Sequence, residues 1–206
     1  MSADFAVDGT FDPEFGGVAD AFSQNFESRG EVGASLCVYK DGECLADLWG
    51  GTADPNTGTP WTKDTVSIVF SCTKAATSLC AHLLVQRGQL NLNAPVADYW
   101  PEYACNGKED TTVLMMLNHS AGVASFHDAA EPGALLDWDK AVSLLAAETP
   151  WWEPGTRNGY HALTFGWTVG ELVRRVSGKS LGDFFREELA EPMGTDFWIG
   201  LPEEHE

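Results

Sequence analysis

The sequence predicts an α/β chain of the α+β kind, an antiparallel sheet flanked by helices and followed by a mainly helical domain. Two observations predict it. Residues 32–39 and 43–49 are alternating apolar runs on either side of Lys40-Asp41-Gly42, and Asp-Gly between such runs signals a hairpin. From Ser71 onward the apolar spacing changes from two to the three-or-four of helices.

Each element follows from local chemistry. Gly50-Gly51 closes the second strand, and Asp54-Pro-Asn-Thr-Gly-Thr-Pro60 reads as loop. Val66-Ser-Ile-Val-Phe70 is expected to approach Ser71 as a short extended segment. Ala75, Leu79 and Leu83 then share a helical face up to Arg87, with Gly88 placed to end it. Further helices are expected at 111–118, 138–147, 164–177 and 180–190, the last opened by Ser180 and stopped before Pro192. The chain carries no repeat, heptad pattern or low-complexity tract.

Bulk properties narrow the function classes. At 44% hydrophobic residues in 206 positions, the chain can bury one sizeable core or two small ones. A net charge of −19 repels phosphate backbones and anionic lipid, which argues against nucleic-acid and membrane partners. No stretch nears the roughly 18 apolar residues of a spanning helix, and Met1-Ser-Ala-Asp-Phe-Ala-Val-Asp8 lacks a basic start and apolar core. A cytoplasmic location is the expectation. The acidic end, Pro202 to Glu206, reads as solvated or as a truncation point.

Cys37, Cys44, Cys72, Cys80 and Cys105 are odd in number and irregularly spaced, so they are expected to be reduced thiols in packed positions. No metal or cofactor is expected, because there is no His-Glu-x-x-His and no carboxylate motif joins His119 to His127. Each of those histidines is expected to make a loop hydrogen bond, and His161, beside Tyr160, either to tune the site or to be structural and partly exposed. Trp151 and Trp152 read as core or as the wall of an acyl pocket. A Ser-His-Asp triad lacks its Gly-x-Ser-x-Gly elbow.

Ser71 and Lys74 are three apart, which on a helix places a hydroxyl and an amine on one face. A serine hydroxyl needs a base, and a partly desolvated lysine is drawn toward that role. A helix N-terminus supplies N–H groups, that of Ser71 among them, for an oxyanion. The spacing arises by chance in a chain this long, but here it follows an apolar run and opens a helix. Cys72 beside it reads as an inert thiol. Tyr160 comes from the turn-rich loop Pro150 to Ala162, and a phenol beside a lysine ammonium can ionise and act as a base.

These residues resemble the penicillin-recognising serine hydrolases, and within them the class C β-lactamase-like, family VIII carboxylesterases. The resemblance runs through Asp47-Leu-Trp-Gly-Gly51, Ser71-Cys-Thr-Lys74, Gly88 to Val96, Leu117-Asn-His-Ser-Ala-Gly122, Glu153-Pro-Gly155, Tyr160 to Gly166 and Ser180 to Phe185. It implies a β-lactamase/transpeptidase-like fold, with residues 1–98 the N-terminal part of an α/β domain and 99–206 a helical domain carrying Tyr160. It also implies acyl-enzyme hydrolysis of a small ester on Ser71, with Lys74 and Tyr160 moving the proton.

Two departures matter. Ala162 stands where lactamases of this type carry an asparagine, which lowers β-lactam or D-amino-acid peptide hydrolysis to the alternative. The family's third element, a Lys-Thr-Gly or its counterpart on a later strand, is not found. Trp49-Gly-Gly51 and Lys40-Asp-Gly42 precede Ser71 and read as structural. The expectation is an N-terminal portion of a longer enzyme without its C-terminal strands, active with a complementing chain or homo-oligomer, or else an inactive interaction module.

Overall fold

The computed structural model describes residues 7–203. The start at Met1 to Ala6 and the end at 204–206, where a missing leader and a solvated acidic tail were expected, lie outside the described residues. The chain clusters into two compact units, Met1–Ser67 and Ile68–Glu206.

The first unit opens with strand β1 (Val7–Phe11) and helix α1 (Gly16–Ser28), then β2 (Gly33–Lys40), β3 (Glu43–Asp54) and the short β4 (Thr59–Pro60). The sheet is antiparallel in the order β1-β3-β2, with β4 paired to the end of β3. Asp41 (φ 53°) and Gly42 (φ 86°) form the expected tight hairpin turn, since a two-residue connection of this twist needs left-handed backbone at both positions. Alternation does the rest. Leu48, Ala34 and Leu36 turn toward Ala19, Phe22 and Phe26 of α1, which share one helical face, while Ser35, Cys37 and Tyr39 point outward.

The second unit is helical: α2 (Thr73–Gln86), α3 (Val113–Leu117), α4 (Trp138–Ala147), α5 (Thr164–Ser177), α6 (Leu181–Phe185) and α7 (Glu191–Met193). Helix α5 is central, packing on α2, α3, α4 and α6. Phe165, Val169, Leu172 and Val173 of α5 meet Cys80 and Leu84 of α2, Met116 of α3 and Leu145 of α4 in one core. Helix α2 ends as expected, because Gly88 N–H reaches Val85 O at 2.9 Å and Gln89 N–H reaches Leu84 O at 2.9 Å. Asp137 caps α4 through Lys140 N–H at 3.0 Å, and Ser180 caps α6 through Asp183 N–H at 3.1 Å.

Glu171 of α5 is fully buried and accepts from Trp138 Nε1 (2.9 Å), Arg174 Nε (2.7 Å) and Arg175 Nε (2.7 Å). Burial pushes its carboxyl up, but these hydrogen bonds and charges outweigh it and hold it below the usual range. Arg175 also reaches Glu102 (2.8 Å) and Arg174 reaches Asp139 (3.0 Å), so the buried charge is paired outward to solvent.

Three local expectations are corrected. Residues 66–70 form no strand: Val69 (φ −97°, ψ 7°) and Phe70 (φ 43°) turn sharply, because the chain must enter a 3-10 turn at Phe70–Cys72 before α2. The helix expected at 111–118 shrinks to α3, since residue 112 is bridged to Pro95 and caps the helix through Met115 N–H. The helix expected to stop before Pro192 runs on to Met193, through a π-helical turn at Arg186–Ala190 directly ahead of the residue that lacks an N–H. The thiols are also not all packed: Cys80 is buried, Cys105 intermediate, and Cys37, Cys44 and Cys72 are exposed.

Candidate active site

Ser71 lies in the 3-10 turn that leads into α2, a turn closed by Cys72 N–H on Val69 O (3.1 Å) and by Thr73 N–H on Phe70 O. The left-handed Phe70 immediately before it is the kind of backbone strain that structures retain at reactive positions. One turn on, the Lys74 ammonium donates to Ser71 Oγ at 3.1 Å and to the Ala162 carbonyl at 2.7 Å. The Tyr160 hydroxyl donates to Ser71 Oγ at 2.6 Å. Residues 71, 74 and 160 are therefore brought to a single oxygen, with Lys74 Nζ 4.8 Å from the centre of the Tyr160 ring.

Tyr160 gets there because two loops are laced together. Trp151 N–H donates to Gly122 O (2.8 Å), Gly155 N–H to Ser120 O (2.9 Å) and Gly159 N–H to His119 O (3.1 Å). Asn158 Nδ2 adds a bond to Asn118 O at 2.7 Å, and Trp152 Nε1 one to Ser120 O at 3.3 Å. A side chain at Gly122 (φ 83°) would meet Trp152 O at 2.6 Å and Pro150 Cβ at 2.8 Å, so only glycine lets the loops approach. The Leu117–Gly122, Glu153–Gly155 and Tyr160–Gly166 segments are thus parts of one device, the delivery of a phenol to Ser71.

His119 (φ 65°) is the residue that sequence reasoning missed. Its loop hydrogen bond is present, Nδ1 accepting the His161 N–H at 3.2 Å, but its ring also lies 5.2 Å from Tyr160 and 5.0 Å from Phe165. Burial, and then the nearby Lys74 charge, push the His119 imidazolium down, so the ring stays neutral. The available signal was its position between Asn118 and Gly122; its partners, some forty residues away, were invisible.

His161 is fully buried, not partly exposed, because Gly159 O takes its Nδ1 at 2.6 Å and the ring of Trp152 closes over it at 5.9 Å. Burial pushes it down as well. His127 bonds Glu148 at 2.6 Å and stacks on Trp151 at 3.9 Å, with Trp151 half exposed rather than core. The Tyr160 phenol lies below its ordinary range, first through the hydrogen bond with Ser71 and then through Lys74.

Among the described residues no group of three or more His, Cys, Asp or Glu could hold a metal ion. No described helix is long and apolar enough to cross a membrane. No strand follows β4 among the described residues, so none carries a third element after Tyr160. A cavity of about 500 Å³ between residues 180–191 and 197–202 does not include Ser71.

A family model described as Beta-lactamase matches residues 18–206. The chain is 43% identical to the esterase/beta-lactamase LipL of Mycobacterium tuberculosis, over 95% of this chain and 46% of that protein. A crystal structure of a family VIII carboxylesterase superposes with TM-score 0.90 at 46% identity, covering 97% of this chain and 55% of the other. A penicillin-binding protein homologue from Caulobacter crescentus gives 0.92 at 40% identity, covering 97% and 54%. The chain thus spans about half the length of the proteins it matches.

Proposed function

The chain belongs to the beta-lactamase family, and on that premise we propose that it carries the nucleophile half of a carboxylic-ester hydrolase that works through an acyl-enzyme on Ser71. One observation carries the reading: Ser71 Oγ receives hydrogen bonds from both Lys74 and Tyr160.

A hydroxyl that accepts two bonds keeps its own proton, so attack needs an acceptor. Tyr160 becomes that acceptor when ionised, a form favoured by Ser71 and Lys74. The Ser71 proton passes to the phenolate as Oγ adds to the ester carbonyl. The phenol then returns it to the departing alkoxide, and a water attacks the acyl group by the reverse route. Lys74, fixed by Ala162 O and donating to Ser71 Oγ, holds both oxygens in line. The Ser71 N–H is the donor assigned to the developing oxyanion, since the N–H groups of Cys72 and Thr73 already donate within the turn. His119 keeps the phenol in place and, being neutral, adds no second cation beside Lys74.

Ester hydrolysis is favoured by the similarity to the esterase/beta-lactamase LipL and to a family VIII carboxylesterase, and by Ala162, which offers no side-chain amide. The second reading, β-lactam hydrolysis, rests on LipL being a beta-lactamase as well as an esterase. Parallel turnover of a short-chain p-nitrophenyl ester and nitrocefin separates them: ester turnover should dominate, and nitrocefin turnover of equal or greater rate would reverse the assignment. We further propose that residues 1–98 belong to an α/β domain that other chain segments complete in the whole enzyme, with 99–206 its helical partner.

A further inference from the structure

We propose that Cys37 and Cys44 form a redox-responsive dithiol, a modification site on the outer face of the hairpin that peroxide converts to an intramolecular disulfide. The two thiols are exposed and their sulfurs lie 3.8 Å apart. They come together because the β2–β3 register slips at Val38/Tyr39: Cys37 opposes Asp47, Tyr39 opposes Cys44, and the extra residue draws Cys44 toward Cys37. Their neighbours Leu36 and Leu48 turn to the α1 side and leave this face open. A disulfide needs sulfurs at about 2.05 Å, so the closure is under ~2 Å, a side-chain movement on a short ribbon.

The chemistry balances with a peroxide as the oxidant. One thiol is oxidised to a sulfenic acid as hydrogen peroxide becomes water. The second thiol attacks that sulfur, forms the S–S bond and expels a second water, and a reductant such as dithiothreitol reverses the change. The little burial it has, then the Cys44 contact and the Asp47 charge, push the Cys37 thiol up and favour its protonated form. Cys80 serves as an internal control, being buried with its thiol pushed up to about 12.

The test does not depend on the chemistry of Ser71. The protein is treated with hydrogen peroxide, blocked with iodoacetamide, cut with trypsin, which cleaves after Lys40 between the two cysteines, and mapped by mass spectrometry. The expected product is a monomeric chain with the two peptides joined through Cys37 and Cys44, separable by dithiothreitol. Cys37→Ser and Cys44→Ser should each abolish the link and leave the remaining thiol as a dimedone-reactive sulfenic acid. Both residues still alkylated under conditions that fully oxidise glutathione, or linked only to Cys72, Cys105 or another chain, would overturn the proposal.

Discussion

Two lysines in this molecule share a sequence pattern and nothing else. Lys74 follows Ser71 by three residues, and Lys108 follows Cys105 by three. Lys74 is half-buried, donates to Ser71 Oγ and the Ala162 carbonyl, and lies beside a tyrosine that is itself hydrogen-bonded to Ser71. Lys108 is only 1% exposed, donates to the carbonyls of Cys105 (2.9 Å) and Glu148, and sits over the Tyr103 ring at 5.0 Å. Its sulfur neighbour is 3.8 Å away. Burial pushes Lys108 down, yet it faces no substrate and ties two loops together. A lowered amine beside a nucleophilic side chain does not by itself suggest a catalytic pair; the proposed role of Lys74 rests on its open face and on the second hydroxyl, Tyr160, at Ser71 Oγ.

The comparison can be broken most sharply at Lys74. Lys74→Ala and Tyr160→Phe should each slow Ser71 acylation by about 10²–10⁴-fold, because each removes a proton carrier or the charge that supports it. Near-normal acylation in either variant would place that side chain with Lys108, as structure. Lys108→Met should do the opposite. It leaves two carbonyls without their donor and should destabilise the fold by about 1–3 kcal/mol in urea titrations, with acylation per folded molecule unchanged.

A smaller effect separates the pH behaviour of the two settings. His119 and His161 have folded values pushed below 6.5 by burial, so the folded state binds fewer protons there than the unfolded chain. Their contribution to stability is therefore complete above about pH 6.5 and is lost as the pH falls through the folded values. The laced loops, and with them Ser71 acylation, should weaken on that acid side, whereas Lys108 bonds two backbone carbonyls and no histidine. On the alkaline side acylation should rise with pH and level off below pH 10, where Tyr160 ionises. Acylation flat from pH 5 to 9 would contradict both assignments.

How much of this was legible follows from what holds each part. The hairpin, α4 and α5 were readable because local signals agree: Asp41-Gly42 at the turn, Asp137 at the cap of α4, apolar spacing along α5. Helix α1 was missed, since it begins Gly16-Gly17 without a side-chain cap and is held by Ala19, Phe22 and Phe26 against the sheet. Ser71 and Lys74 were visible as neighbours on one helix, and Tyr160 only as a loop residue with suitable chemistry. That Tyr160 meets Ser71 depends on backbone bonds between Asn118–Gly122 and Trp151–Gly159, which no local pattern encodes. The same long-range lacing hid His119.

The central claim, that Ser71 is the nucleophile, is tested most directly by reacting the protein with a fluorophosphonate and locating the adduct by tandem mass spectrometry. The expected result is a single phosphonylated residue, Ser71, absent in Ser71→Ala and strongly reduced in Lys74→Ala. An adduct elsewhere, or labelling of Ser71→Ala equal to that of the parent, would contradict it.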